Sequence, residues 1–141
     1  GISNQPSLVP VQRAELFTIE KKWQSAIDIF DEHIGSSIKR DQSAWTPKFL
    51  AQRAWCKANI QDFSGAQKDI DAAISEMESC KDPDDRCVLH LRISNSFKMM
   101  GKTEFSDHHA YIGREFFTLH NDHQTIVNEG FNAVALSLRQ K

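Results

Sequence analysis

Residues 51–74, AQRAWCKANIQDFSGAQKDIDAAI, carry the clearest structural pattern of the chain. The first half spaces its apolar side chains as one face of a helix does, and the second half does the same after Asp62. An aspartate at that place can accept a hydrogen bond from the backbone N–H groups that open a helix. Ala54 and Ala66 leave room for two helices to approach closely. The stretch therefore predicts a helical hairpin.

Helical spacing continues through the rest of the 141 residues, and no segment alternates apolar and polar residues as a strand does. Thr46 and Asp82, each followed by proline, predict two further helix starts with these residues as N-caps. Gly101 predicts the end of the helix that begins after Asp82. Gly35 predicts the fraying end of an earlier helix, with an extension to Ile38 as the alternative. The sequence thus predicts an all-α protein of seven helices.

The helices repeat with a period of 40 residues. Small residues recur at the positions where the two helices of a hairpin must meet: Ala14, Ala54 and Ser94, and again Ala26, Ala66 and Ser106. Larger residues recur where a hairpin packs on its neighbour: Trp23 and Phe63, and Phe30 and Ile70. An unrelated helical bundle would show the helical spacing alone, so the shared register favours a repeat protein.

This pattern resembles the tetratricopeptide repeat family, whose hairpins combine small and bulky residues at fixed positions. The copy that matches best contains Leu50, Ala54, Phe63, Ala66, Ile70 and Ala73. The first copy contains Ala14, Phe17, Trp23, Ala26 and Phe30, and the third contains Ser94, Phe97, Gly101, Ser106, Ala110 and Gly113. The unit is longer than the family's roughly 34 residues. In addition, Arg53, Lys57 and His33 replace apolar or small residues of the family pattern.

The resemblance implies a right-handed α-solenoid of three helix-turn-helix hairpins, plus a C-terminal helix that caps the array or opens a fourth repeat. We expect a flexible lead-in over residues 1–9 and a single domain over residues 10–141. The repeats are expected at about 10–40, 46–80 and 83–119, and the final helix at about 122–140.

In that family the first helix of each hairpin lines a concave groove, which holds a peptide or helix of another protein. Carried over position by position, the residues predicted to bind a partner are Lys48, Gln52, Trp55, Asn59, Arg92, Asn95, Lys98 and Met99. The same comparison assigns Gln12, Glu15 and Ile19 to the groove, together with the apolar residues Ala51, Val88 and Leu91. Trp55 is the central candidate, because an aromatic ring gives contact area at low entropic cost; packing between hairpins is its alternative role.

We therefore predict a non-enzymatic scaffold or adaptor that binds a peptide or helix of a partner protein in this groove. Lys48, Arg92 and Lys98 favour an acidic, partly apolar segment as that partner. The chaperone-binding members of the family hold a C-terminal carboxylate with a set of basic and amide residues, of which only Arg92 is matched here. The acidic tails of cytosolic Hsp70 and Hsp90 chaperones are therefore not expected as partners.

Two other functions remain open at this point. The first is a self-associating structural module of a larger protein, joined through an apolar face of the final helix. The second is a helical-repeat binder of single-stranded RNA, against which the net charge of -2 argues.

The sequence offers no recognisable catalytic, metal or cofactor site. His120 and His123 have a spacing that can share a metal, and His108 and His109 lie one helix earlier. No further ligand completes a zinc pattern, so these histidines are expected on the surface. Cys56 lacks a partner histidine at a motif spacing and is expected to be a small packing residue.

Cysteine usage and hydropathy indicate the cellular compartment of the chain. Three cysteines without regular spacing favour a reducing compartment, the cytoplasm or alternatively the nucleus. A disulfide between Cys80 and Cys87 is the alternative to free thiols. No apolar run reaches the length of a membrane span, so no membrane association is expected.

Overall fold

The computed structural model describes residues 8–39 and 45–119, and every regular element in these two ranges is helical. The helices are α1 (Leu8–Ile19), α2 (Trp23–Lys39), α3 (Thr46–Asn59), α4 (Phe63–Ser75), α5 (Pro83–Met99) and α6 (Thr103–Leu119), with a short 3-10 turn at Met77–Ser79. The all-α prediction is confirmed for these residues. The predicted final helix at about 122–140 lies outside them, as does the lead-in up to residue 7.

The chain divides into two compact units. In the first, within Gly1–Ser79, α1 packs on α2, α2 on α3, and α3 on α4. In the second, within Cys80–Lys141, α5 packs on α6. The expectation of one domain over residues 10–141 stays a prediction.

The three hairpins are built on one turn, which recurs at 40-residue intervals. The first helices end at Ile19, Asn59 and Met99, and the second helices begin at Trp23, Phe63 and Thr103. Each turn contains one residue with a left-handed backbone: Lys21 at φ 61°, Gln61 at φ 66° and Gly101 at φ 78°. The residue after it donates a backbone hydrogen bond five residues back: Lys22 to Phe17 (2.8 Å), Asp62 to Lys57 (2.9 Å) and Lys102 to Phe97 (2.9 Å). This is the Schellman arrangement that ends many helices, so the backbone repeats with the period of the sequence.

The small residues allow the two helices of a hairpin to approach each other closely. The register-matched Ala14, Ala54 and Ser94, and likewise Ala26, Ala66 and Ser106, are exposed by 5% or less. In the third hairpin, Ser94 Oγ donates a hydrogen bond to the backbone oxygen of Ser106 at 2.7 Å. A Cβ added to Gly113 of α6 would lie 2.7 Å from Leu91 of α5. A side chain at residue 113 would therefore force α5 and α6 apart.

A cluster of ion pairs joins three helices of the first unit. Arg53 of α3 donates two hydrogen bonds to the carboxylate of Asp69 in α4, at 2.8 and 2.7 Å. Lys57 Nζ lies 3.2 Å from the same carboxylate. A third guanidinium nitrogen of Arg53 donates to Asp31 of α2 at 2.7 Å. Asp69 is only 3% exposed, so these cations neutralise an interior charge, at positions where the tetratricopeptide pattern would have apolar residues.

Two of the three predicted helix caps are confirmed. Asp62 accepts a hydrogen bond from the N–H of Gly65 at 3.0 Å, and Asp82 accepts one from the N–H of Asp84 at 2.9 Å.

The predicted cap at Thr46 is wrong. Trp45 precedes the helix as its N-cap residue without a side-chain capping bond, and Thr46 is the first helical residue. The ring of Trp45 stacks on Phe49 with centroids 5.9 Å apart, so an aromatic contact fixes the chain where a capping bond was expected. Helix α2 continues past Gly35 to Lys39, in agreement with the alternative end near Ile38 rather than with fraying at Gly35.

We expect Asp69→Ala to lower the free energy of unfolding by about 3 kcal/mol, because it leaves Arg53 and Lys57 without their shared interior counter-charge. Urea unfolding followed by circular dichroism measures the change. Asp71→Ala, on the exposed side of the same helix, should change it by less than about 0.5 kcal/mol. Equal losses in the two variants would show that the cluster contributes nothing specific.

The left-handed turn residues give a second prediction. Gln61→Gly should raise the free energy of unfolding by about 0.5–1 kcal/mol, because glycine adopts positive φ without a Cβ clash. Gly101→Gln, the reverse change at the equivalent turn, should lower it by a similar amount. Thermal unfolding of both variants beside the parent protein tests this, and the same sign of change in both would contradict it.

Candidate functional site

Helix α3 buries most of its side chains, and away from the side described below only Arg53 and Lys57 are half-buried, both paired with Asp69. Its core-facing residues include Ala51, Ala54 and Ala58, each exposed by 1% or less. The opposite side carries a line of half-buried residues at helical spacing, Lys48, Gln52, Trp55 and Asn59. We call this line the α3 face. It holds all four residues that the sequence assigned to partner binding in the second hairpin.

Trp55 lies at the centre of the α3 face and packs against one other aromatic residue. Its ring meets that of Trp23 edge to face, with centroids 6.4 Å apart and an angle of 89° between the planes. Trp55 remains half-buried, which leaves part of the side chain open. The two roles considered for Trp55, packing between hairpins and contact with a partner, are therefore compatible.

Polar groups stand on either side of Trp55 along the helix. Asn59 Nδ2 donates a hydrogen bond to the backbone oxygen of Trp55 at 2.8 Å, which fixes that amide against the last turn of α3. At the other end, Lys48 Nζ lies 4.8 Å from the centroid of the Trp45 ring. This cation–π contact holds a positive charge at the N-terminal end of the α3 face.

Helix α1 lies beside α3 in the same unit. Thr18 Oγ1 is 3.6 Å from Cys56 Sγ, which ties the end of α1 to the residue after Trp55. The predicted groove residues of α1, Gln12, Glu15 and Ile19, are all exposed.

The remaining predicted site residues belong to α5, in the second unit. Arg92 and Asn95 are half-buried, and Lys98 and Met99 are exposed. They occupy one side of α5, as the predicted residues of α3 do in the first unit.

Three apolar residues expected in the groove are buried, so that expectation is wrong for them. Ala51 and Leu91 are completely covered, and Val88 is 7% exposed. Ala51 and Leu91 lie on the side of their helices that turns toward the core, where Leu91 packs against Gly113 of α6. Val88 lies in line with Arg92 and Asn95 and is buried all the same. The apolar character of these positions was itself a sign of burial.

A buried histidine pair was missed by the sequence reasoning. His109 is 8% exposed rather than on the surface, and its Nδ1 lies 3.0 Å from Nδ1 of His90, which is 9% exposed. The rings stack with centroids 5.2 Å apart, and His109 also stacks on Phe97. The sequence did contain a signal: His109 follows Ser106 by one helical turn, on the small-residue side of α6 that faces α5. His108 is exposed as expected, while His120 and His123 lie outside the described residues.

Burial controls the protonation of this pair. It is the main cause that lowers the pKa of His90 to about 4, with smaller effects from His109, Arg86 and His108. Burial and His108 lower the pKa of His109 to about 4 as well. Both rings are therefore neutral at pH 7, and one can donate to the other across the 3.0 Å contact.

All three cysteines are buried free thiols, so the disulfide considered between Cys80 and Cys87 is not formed. Burial raises the pKa of Cys56, and burial together with Asp84 raises the pKa of Cys87 to about 11. Cys87 Sγ donates a hydrogen bond to the backbone oxygen of Gly113 at 3.2 Å. The thiols act as packing groups, as expected for Cys56.

Two searches of the described residues found nothing further. No three histidine, cysteine, aspartate or glutamate side chains in residues 8–39 and 45–119 come together as metal ligands would. None of the described helices has the length and apolar character to cross a membrane.

Comparison with known proteins adds no relative: no family model matches the chain, and no curated protein or solved structure matches it significantly.

The histidine pair predicts acid sensitivity. Because the folded protein holds both pKa values below the ordinary value of 6.5, the unfolded chain binds protons first as the pH falls. Stability should therefore be full above about pH 7 and decline toward pH 4, with each histidine removing on the order of 2 kcal/mol by pH 5. Urea unfolding at pH 7 and pH 5 measures the difference.

Two variants separate this effect from general acid destabilisation. The double variant His90→Leu, His109→Phe should show a smaller loss between the two pH values. His108→Gln removes only a smaller contribution to the two lowered pKa values, so it should keep most of the parent protein's loss. An unchanged pH dependence in the double variant would contradict the assignment.

Proposed function

We propose that this chain is a tetratricopeptide-like helical-repeat protein, in which stacked hairpins form a right-handed solenoid that binds a peptide or helix of another protein. The α3 face carries the proposal. One line of α3 that combines a cation, two amides and a tryptophan stays partly open, whereas the other half-buried residues of the helix, Arg53 and Lys57, are engaged with Asp69. Such a combination suits an extended or helical segment, because the amides can hold backbone groups while the ring contributes contact area.

Internal equivalence supports the same role for the other first helices. The register positions of Gln52, Trp55 and Asn59 correspond to Gln12, Glu15 and Ile19 in α1 and to Arg92, Asn95 and Met99 in α5. Every one of these residues is exposed or half-buried. In a solenoid of repeated hairpins, equivalent positions line one continuous surface. The proposal assigns the partner to that surface.

The charges on these positions favour an acidic, partly apolar partner. Lys48 is held on Trp45, and Arg92 and Lys98 add positive charge on α5. Carboxylates of the partner would meet these cations, and an apolar residue would meet Trp55. The proposal includes no catalytic step, and the three buried thiols suit a cytoplasmic location.

Affinity capture with the immobilised chain tests the binding role. Trp55→Ala and Lys48→Glu should each reduce recovery of the principal partner at least about tenfold, because both change residues of the α3 face. Quantitative mass spectrometry of the captured proteins measures recovery, and circular dichroism checks that each variant is folded.

Two matched controls accompany these variants. Trp23→Ala removes the same ring contact as Trp55→Ala but keeps every residue of the α3 face, and Lys68→Glu makes the same charge reversal at an exposed site on α4. Both should retain the partner. Equal recovery with Trp55→Ala and the parent protein would overturn the proposed site.

A further inference from the structure

Helix α1 carries an apolar surface at a place where its counterparts are covered. Leu16 corresponds in the 40-residue register to Cys56 of α3 and Ser96 of α5. Cys56 and Ser96 are completely buried, whereas Leu16 is 54% exposed. Leu16 is also the largest of the three side chains.

The first unit shows what covers this position. Thr18 of α1 lies 3.6 Å from Cys56, so α1 contributes to the cover of the equivalent place on α3. Leu16, by contrast, is more than half exposed on its side of α1. Ile19, at the edge of this side, is 76% exposed, the largest value among the exposed large hydrophobic residues of the described ranges. The position is thus one that a second helix covers elsewhere in the fold.

The charges around Leu16 match a second copy of the same helix. Arg13 and Glu20 flank Leu16 on one side of α1, three residues before it and four after it, and both are exposed. Two α1 helices that pack antiparallel about Leu16 bring Arg13 of each copy opposite Glu20 of the other. On the other flank, Gln12 of each copy meets Ile19 of its partner. The charges and the contacts of this surface therefore match those of a second copy of the same surface.

Within α1, a contact with an aromatic ring holds the Arg13 side chain in place for such a pair of helices. The guanidinium of Arg13 lies 5.8 Å from the centroid of the Phe17 ring, one turn along the helix. Glu20 has only a 4.0 Å contact with the exposed Lys22, which competes weakly with a new partner.

We propose that α1 is a self-association surface, through which two copies of the chain form an antiparallel two-fold dimer centred on Leu16. This surface is separate from the final helix, and the proposal does not rest on the α3 face. Because a single helix of each copy takes part, the dimer is weak and forms as the protein concentration rises.

Sedimentation velocity between about 10 µM and 1 mM tests the proposal, since weak dimers of this size dissociate within that range. The parent protein should shift from monomer to dimer, and Leu16→Glu should remain monomeric throughout. Ile74→Glu, the same kind of change at an exposed apolar residue of α4, should dimerise like the parent. A parent protein that stays monomeric, or a dimer that survives Leu16→Glu, overturns the proposal.

A charge exchange fixes the orientation of the pair. Arg13→Glu should weaken the dimer about tenfold, because it places two carboxylates opposite each other on both sides of the two-fold axis. Adding Glu20→Arg should restore it, as the opposite charges then meet again with their places exchanged. Failure of the second change to rescue the first would overturn the antiparallel arrangement. Both variants change exposed residues only, and loss of the α3 partner in capture experiments would leave these results unaffected.

Discussion

Contact between helix backbones at small residues is the constraint from which the rest of this structure follows. Where Ala54 faces α4, or Gly113 faces α5, no space remains for a larger side chain. Helices that approach so closely need a short connection, and the three turns supply it with the same backbone geometry each time. Because the core-facing side of each helix is fixed in this way, the side that stays open is fixed as well. The α3 face is the side of α3 that this packing leaves open.

The two units place polar groups in their interiors by opposite means. In the first, full charges are retained, and Asp69 is surrounded by Arg53 and Lys57. In the second, His90 and His109 are kept neutral by burial and are satisfied by each other. A charged cluster depends on the presence of every partner, whereas a neutral pair depends on the proton concentration. Both groups lie between the two helices of a hairpin. The stability of the two units nevertheless depends on different conditions, because one group is charged and the other is neutral.

The parts of the fold that could be predicted from sequence are those decided by chemistry within a few residues. Asp62 and Asp82 act as caps because an aspartate accepts hydrogen bonds from the N–H groups that follow it, whatever lies elsewhere. Thr46 failed as a cap because the stacking of Trp45 on Phe49 decides how the chain enters α3. His109 failed as a surface residue because its surroundings come from α5, across the hairpin.

The candidate site follows the same division. The spacing of Lys48, Gln52, Trp55 and Asn59 is enough to set them on one side of a helix, while the contact between Trp55 and Trp23 depends on the packing of α2 on α3.

The recurrence of one turn geometry every 40 residues has a consequence for how such a chain can change. Recombination between the turn at Lys21 and the turn at Gln61 joins two helices through a turn of the same backbone geometry. The pattern of core-facing and exposed residues therefore keeps its register across the junction. A duplication or loss between these points would add or remove one whole hairpin, with its small residues still facing inward. Unequal crossover within a gene of this kind therefore yields longer or shorter proteins that can still fold, and the number of hairpins can vary more freely than their internal design.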